Sequence, residues 1–173
     1  MKIRFLFLST LLFVPAARAQ LTHRYQTDFP AEELAARRAE IYETIGDNAI
    51  VLLQGAPNVQ GFHVFRQSNN FYYLTGLETP HSYLLMDGRS KRARLYLPHR
   101  NPRRERGEGK TLSAEDAELV VELTGVDEVH GIDLLPYQLW RHLVRAPFPT
   151  LYSQLAPPEG AAQSRDEILI GFG

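Results

Sequence analysis

The sequence predicts an α/β domain, and three observations carry that prediction. Segments with helical and strand-like apolar spacing alternate from residue 30 to about residue 152. No internal repeat or low-complexity tract interrupts them. A composition of 44% apolar and 23% charged residues is that of a globular protein rather than a disordered or multi-span membrane chain. At 173 residues, one domain with its own core is the expectation.

The first segment is read as a targeting signal and set apart from the fold. Lys2 and Arg4 precede an apolar run from Phe5 to Val14, and Ala17-Arg18-Ala19 fits a small-x-small cleavage site. The run is about half of the roughly 20 residues a membrane-spanning helix needs. Residues 1–19 are therefore expected to direct the chain to the periplasm or outside the cell, with no membrane contact after cleavage. Their loss removes three positive charges from a chain of formal charge −1, and the mildly acidic remainder disfavours nucleic acid as a partner.

From Pro30 onward each element has a local reason. Pro30 suits the first helical position, with Glu32 and Glu33 at the positive end of the helix. Leu34, Ile41, Tyr42 and Ile45 then give a helix over residues 31–45, closed by Gly46, with Arg37 and Arg38 expected on its exposed face. The unbroken run Ala49 to Leu53, ended by Gly55 and Pro57, predicts a central strand covered on both faces. Phe71 to Leu74, Tyr83 to Met86 and Arg94 to Leu97 read as three further strands, with Asp87-Gly88 turning the last two into a hairpin. Ser113 and Asp116 resemble a capping box before a helix that ends at Gly125. Val126 to His130 predicts a short strand, Asp133 a cap for a helix carrying Leu135, Leu139 and Leu143, and Thr150 to Leu155 a last strand. Beyond Ala156 the pattern gives way to Pro157-Pro158, Gly160 and an unfinished helix start at Ser164 to Ile170.

Little in this chain advertises chemistry. The absence of cysteine excludes disulfide scaffolds, thiolate metal sites and cysteine nucleophiles. The six histidines, His23, His63, His81, His99, His130 and His142, show no metal-ligand spacing and are read as surface or loop residues. Glu115, Asp116 and Glu118 fall in the first turns of a predicted helix, where the macrodipole favours negative charge. Gly107 to Thr111 ends like a phosphate loop, but Arg104 stands where the first glycine belongs. No G-x-S-x-G elbow occurs. The basic stretch from Arg89 to Lys110 is read as a solvated loop and edge strand.

The densest pattern runs from Phe65 to Pro80, a polar turn that delivers an aromatic segment ending at glycine. In it Phe65, Arg66, Gln67, Phe71, Tyr73, Leu74, Thr75, Gly76 and Pro80 match a motif of the aminopeptidase P family. The segment resembles the N-terminal domain of that family, the Xaa-Pro aminopeptidases related to prolidase and creatinase. Flanking features agree, among them Leu97-Pro98 with Arg100-Asn101-Pro102 and the run Gly125 to Val129. The resemblance spans residues 29–155 and implies a mixed sheet of about six strands flanked by helices, in the ribonuclease-H-like arrangement.

The resemblance also implies what the chain lacks. In the family a following pita-bread domain holds a pair of metal ions, usually manganese, on two aspartates, one histidine and two glutamates. None of those ligands transfers to a residue of this sequence, so no catalytic or metal-binding residue is assigned here and the motif residues are expected to be structural. Residues 156–173 read as a truncated interdomain connector. The expected function is that of a non-catalytic N-terminal domain of an exported Xaa-Pro aminopeptidase. Its expected partners are the C-terminal catalytic domain and, through subunit contacts, further copies of the chain. The alternative is a free-standing binding or assembly module of the same fold. Gly107 departs from the tryptophan many relatives carry there, in a region that approaches a neighbouring subunit's active site in the family.

Overall fold

The computed structural model describes residues 28–58, 65–145 and 147–154. The expected signal at 1–19 and connector at 156–173 lie outside these residues. The elements run α1 (Ala31–Ile45), β1 (Ala49–Gln54), α2 (Asn69–Thr75), β2 (Tyr83–Asp87), β3 (Arg92–Leu97), α3 (Pro102–Glu108), α4 (Ala117–Thr124), β4 (Glu128–Gly131), α5 (Leu135–Leu143) and β5 (Thr150–Ser153). Short 3-10 turns at Ala114–Asp116 and Ile132–Leu134 lead into α4 and α5.

Five strands form one mixed sheet in the order β4-β3-β2-β1-β5. β1 to β3 make an antiparallel meander, while β4 and β5 are added in parallel at its two sides. β1 is interior, as its apolar run requires, but β2 is the middle strand and is buried along its whole length. The side chains alternate between two cores. Val51, Leu53, Leu84, Met86 and Leu95 face α1, α2 and α4, and Ile50, Leu52, Tyr83, Leu85 and Tyr96 face α5.

Several expectations hold to the residue. α1 occupies 31–45 and is closed by Gly46 at φ 71°, although Pro30 sits one position outside it as the N-cap, its carbonyl accepting from Glu33 and Leu34. Ser113 and Asp116 form the reciprocal capping box, and Gly125 ends α4 in the left-handed conformation. Asp87 turns the β2–β3 hairpin by accepting from the Arg89 amide and the Ser90 hydroxyl.

Four expectations are corrected. Phe71 to Leu74 is not a strand but the middle of α2. Its Phe71, Leu74 and Thr75 recur at helical spacing on the buried side, and Gly76 supplies a left-handed cap. Aromatic strand propensity lost there to packing on α1. Arg38 is not exposed but only 2% accessible. Asp133 does not cap α5, whose N-cap is Leu134; its carboxylate is spent on His99. The basic stretch is not an edge, because β4 pairs outside β3 and Glu128 binds both Arg92 and Arg94. Part of it is α3, capped by Asn101, whose side-chain oxygen accepts from the amides of Arg103 and Arg104. Pro102 at the first helical position completes that start.

Candidate functional site

The Phe65 to Pro80 motif is a structural fastening. Gln67 is buried, and its side-chain oxygen accepts from the amides of Ala56 and Ser68 while its nitrogen donates to the Thr79 carbonyl, 3.0 Å away. One amide side chain thereby ties the end of β1 to the loop before β2. No Cβ fits at Gly55 without pressing on it, since the nearest Gln67 atom would be 3.0 Å away. Thr75 donates to the Phe71 carbonyl at 2.8 Å and accepts from the Leu77 amide, which holds the chain through the αL turn at Gly76. Thr79 reaches across to the Leu112 carbonyl. Phe71, Leu74 and Pro80 are buried.

Two arginines of α1 read the motif helix from opposite sides. Arg38 donates to the Leu74 carbonyl at 2.8 Å, to that of Thr124 at 2.9 Å and to that of Gly125 at 2.6 Å. It therefore closes the C-terminal ends of α2 and α4 together, where orphan carbonyls and the negative end of each helix favour a cation. Burial pulls its pKa below the usual guanidinium value. Arg37 lies over the rings of Phe29 and Tyr73, 4.1 and 4.4 Å from their centroids, and donates to the Tyr73 carbonyl. Tyr73 itself is exposed, as is Arg66, which makes no ion pair among the described residues. The nine motif positions thus divide into a buried set, Gln67, Phe71, Leu74, Thr75 and Pro80, a half-buried pair, Phe65 and Gly76, and a surface pair, Arg66 and Tyr73.

A second cluster sits at the C-terminal end of β3. His99 Nδ1 is 2.8 Å from Glu115 and its Nε2 is 2.8 Å from Asp133, so the imidazole bridges the turns that open α4 and α5. These bonds raise its pKa, and they help hold Glu115 down to about 2. Beside it Asp116 takes Arg100 and Lys110, and the Ser113 hydroxyl together with these two cations lowers its pKa against the opposing effect of burial. Gly131 leaves room for the ring, for a Cβ there would come within 2.6 Å of His99 Nε2 and 2.4 Å of Asp133. Both ring nitrogens are committed to carboxylates, and among the described residues no group of three or more His, Asp or Glu could hold a metal ion. The cavity against this cluster, bordered by Pro98, Asn101 and Arg104, has a volume of about 50 Å3, too little for a peptide. A larger cavity of about 220 Å3 lies between α2 and α4, lined by Tyr72, Leu77, Leu112 and Leu123 with Asp28 and Lys110 at its polar margins. At its margin the Tyr72 hydroxyl donates to Asp28 across 3.1 Å.

Arg38, His99, Glu115 and Asp133 are the residues the sequence reading passed over. Arg38 had left a signal, since it stands midway between Leu34 and Tyr42 on the buried stripe of α1. The His99 cluster left none, because its members lie 16 and 34 positions apart.

The buried part of the motif thus fastens α2 and the loop before β2 to α1, β1 and the chain at Leu112. Residues 34–152 match the aminopeptidase P, N-terminal domain family. The chain belongs to that family. All nine motif positions lie inside the match. The chain is 32% identical over 114 residues to a probable Xaa-Pro aminopeptidase PEPP of Paracoccidioides lutzii, covering 63% of this chain and 23% of that protein. It is 31% identical over 124 residues to Xaa-Pro aminopeptidase 3 of Homo sapiens, covering 61% and 24%. Escherichia coli aminopeptidase P, solved with the inhibitor Pro-Leu, superposes with a TM-score of 0.65 at 21% identity, covering 82% of this chain and 32% of that one. Its zinc-substituted form in complex with product gives 0.66 at 21% identity, with the same coverage. At that identity the superposition establishes the fold, a mixed sheet flanked by helices as expected. The chain spans about a quarter of the length of the curated relatives it matches.

Proposed function

We propose that this aminopeptidase P N-terminal domain serves a metal-dependent Xaa-Pro aminopeptidase as its non-catalytic portion, in a protein exported by the signal at Met1 to Ala19. The parent would release the N-terminal residue preceding a proline, using a pair of manganese ions held by a C-terminal catalytic domain. The observation that carries this reading is the match itself. It covers the N-terminal domain and about a quarter of each curated relative, the named Xaa-Pro aminopeptidases. The zinc-substituted Escherichia coli structure supports metal dependence in that family. The donors described here do not fit such a metal, since the one histidine set between two carboxylates has no free ring nitrogen, and no step is routed through an ion on these residues. The domain's own contribution is positional: Arg38 and Gln67 fix the loops around α2 and hold them rigid.

The test is hydrolysis of an Xaa-Pro peptide by the purified chain with manganese added. The expected rate is that of buffer alone, and turnover abolished by a chelator would overturn the assignment. The exposed aromatic side chains of α5 favour a second reading, a free-standing binding or assembly module. The intact mass of the native gene product separates the two. A species several times heavier than 19.7 kDa supports the parent peptidase, and one near the mass of residues 20–173 supports the module.

A further inference from the structure

A groove lies between α1, the start of β3 and the turn after α4. Ala35, Ala39, Ala93 and Gly125 leave it a volume of about 380 Å3, within the range of small-ligand sites. At its floor Tyr42 is 7% accessible, and its hydroxyl has no hydrogen-bond partner among the described residues. The charges that act most on that hydroxyl are Asp127 and Arg38, which line the same groove, so it points there. A buried hydroxyl left unpaired is unfavourable, and the group that relieves it must come from solution. Around it the charges balance. Arg38 places three hydrogen bonds on carbonyls, and a guanidinium carries more donors than those. Lys91, held at φ 53° by the hairpin turn, brings its ammonium to the Tyr42 carbonyl at 3.2 Å and to Asp47 at 3.1 Å. Opposing these two cations are the exposed carboxylate of Glu43 and that of Asp127, which accepts from the Ala93 amide at 2.8 Å and lies 3.6 Å from Arg92.

We propose that this groove binds a small zwitterion, a free amino acid or a dipeptide, with its carboxylate on the Tyr42 hydroxyl, Arg38 and Lys91 and its ammonium toward Asp127 and Glu43. Two cations and two anions line the groove, so a ligand of one charge meets as much repulsion as attraction, whereas one carrying both finds a partner for each. The hydroxyl sets the orientation. Burial keeps it protonated, so it offers a donor, and of the ligand's two ends only the carboxylate can accept. Contact with it needs a side-chain rotation at the rim, where Lys91 stands 5.9 Å over the Tyr42 ring on a flexible stem. Ala35, Ala39 and Ala93 give the ligand's side chains an apolar bed. This inference concerns the groove alone and does not depend on the proposed peptidase parent.

The probe is L-alanyl-L-alanine, titrated into the full chain and followed by heteronuclear NMR. The expected result is saturation at about millimolar dipeptide, with the amide signals of Ala39, Lys91 and Ala93 moving together. Acetylating the amine of the dipeptide or amidating its carboxylate should each weaken binding about tenfold or more, since each removes one of the two charges the groove matches. Ala39→Phe fills the groove from an exposed position of α1 and should abolish the shifts. Tyr42→Phe should weaken binding about fivefold and leave the melting temperature of the ligand-free protein equal or higher, because a hydroxyl without a partner adds nothing to the fold. Shifts that do not saturate by about 10 mM dipeptide overturn the proposal. So does equal binding of either capped dipeptide, for the ligand would then not be a zwitterion. A Tyr42→Phe protein that melts below the wild type overturns it too, because the hydroxyl would then already have its partner within the fold.

Discussion

Replacing Arg38 by methionine tests whether the two helix ends really depend on one guanidinium. Methionine keeps most of the aliphatic volume and all of the apolar contact, so the loss is confined to the donors. Three carbonyls lose a partner, those of Leu74, Thr124 and Gly125. Gly125 is exposed and water replaces its donor, whereas Leu74 and Thr124 are buried at 5% and 2% exposure. Two stranded carbonyls at about 1–3 kcal/mol each give a loss of 2–6 kcal/mol, reduced by the relief of no longer burying a charge. The expected destabilisation is about 3 kcal/mol, a large share of the roughly 5–15 kcal/mol that holds such a domain. Urea unfolding followed by far-ultraviolet circular dichroism measures it, and the melting temperature should fall by about 6–12 °C. Arg38→Lys should lie between, since one ammonium cannot serve both helices. A methionine variant within about 0.5 kcal/mol of wild type would refute the reasoning, because the bonds would then be replaceable by packing alone.

The His99 bridge makes stability depend on pH in a definite direction. A raised imidazole pKa stabilises the fold fully below the ordinary histidine range and loses that contribution as pH climbs through the raised value. Glu115 runs the other way, contributing above the ordinary carboxylate range and losing it toward pH 2. The bridge is therefore strongest at about pH 5–6, and His99→Gln should abolish the decline in urea midpoint between about pH 6 and 8. Gly131→Ala should have a similar effect by displacing the ring, with little change at pH 8, because the atoms in its way are the ends of exposed side chains. Gly88→Ala is a harsher change. Its Cβ would lie 2.1 Å from the Gly46 carbonyl and 2.9 Å from that of Ala49, both backbone, so the expected cost exceeds about 2 kcal/mol in thermal unfolding.

What the sequence disclosed followed from periodicity and turn chemistry. α1, the hairpin at Asp87-Gly88, the Ser113 capping box and the strands at 49–53 and 83–86 are set by neighbours in the chain. α2 was misread because Phe-Tyr-Tyr has strand propensity, although Phe71, Leu74 and the closing Gly76 already had helical spacing. α3 was legible in Asn101-Pro102, the cap and first residue of a helix, and was obscured by the arginines around it. The burial of Arg38 needed α2 and α4 in place, since a cation enters a core only when several carbonyls converge there. The His99 bridge is purely tertiary, drawing one residue each from the ends of β3 and the turns before α4 and α5.

The placement of β5 beside β1 has a cost in time. The Asn48 side chain bonds the Phe148 carbonyl across 100 positions, and the Ala49–Thr150 pairing starts next to it. Closing a loop of that length is among the slowest steps available to a single domain. On a ribosome the meander of β1, β2 and β3 can assemble early, but the outer edge of β1 stays open until residue 153 has emerged. During that interval five buried residues of β1 present an apolar, unpaired edge, the template on which chains join one another. Aggregation of nascent chains should therefore fall sharply once synthesis passes β5, and shortening the protein by even that one strand should harm its yield more than its length suggests.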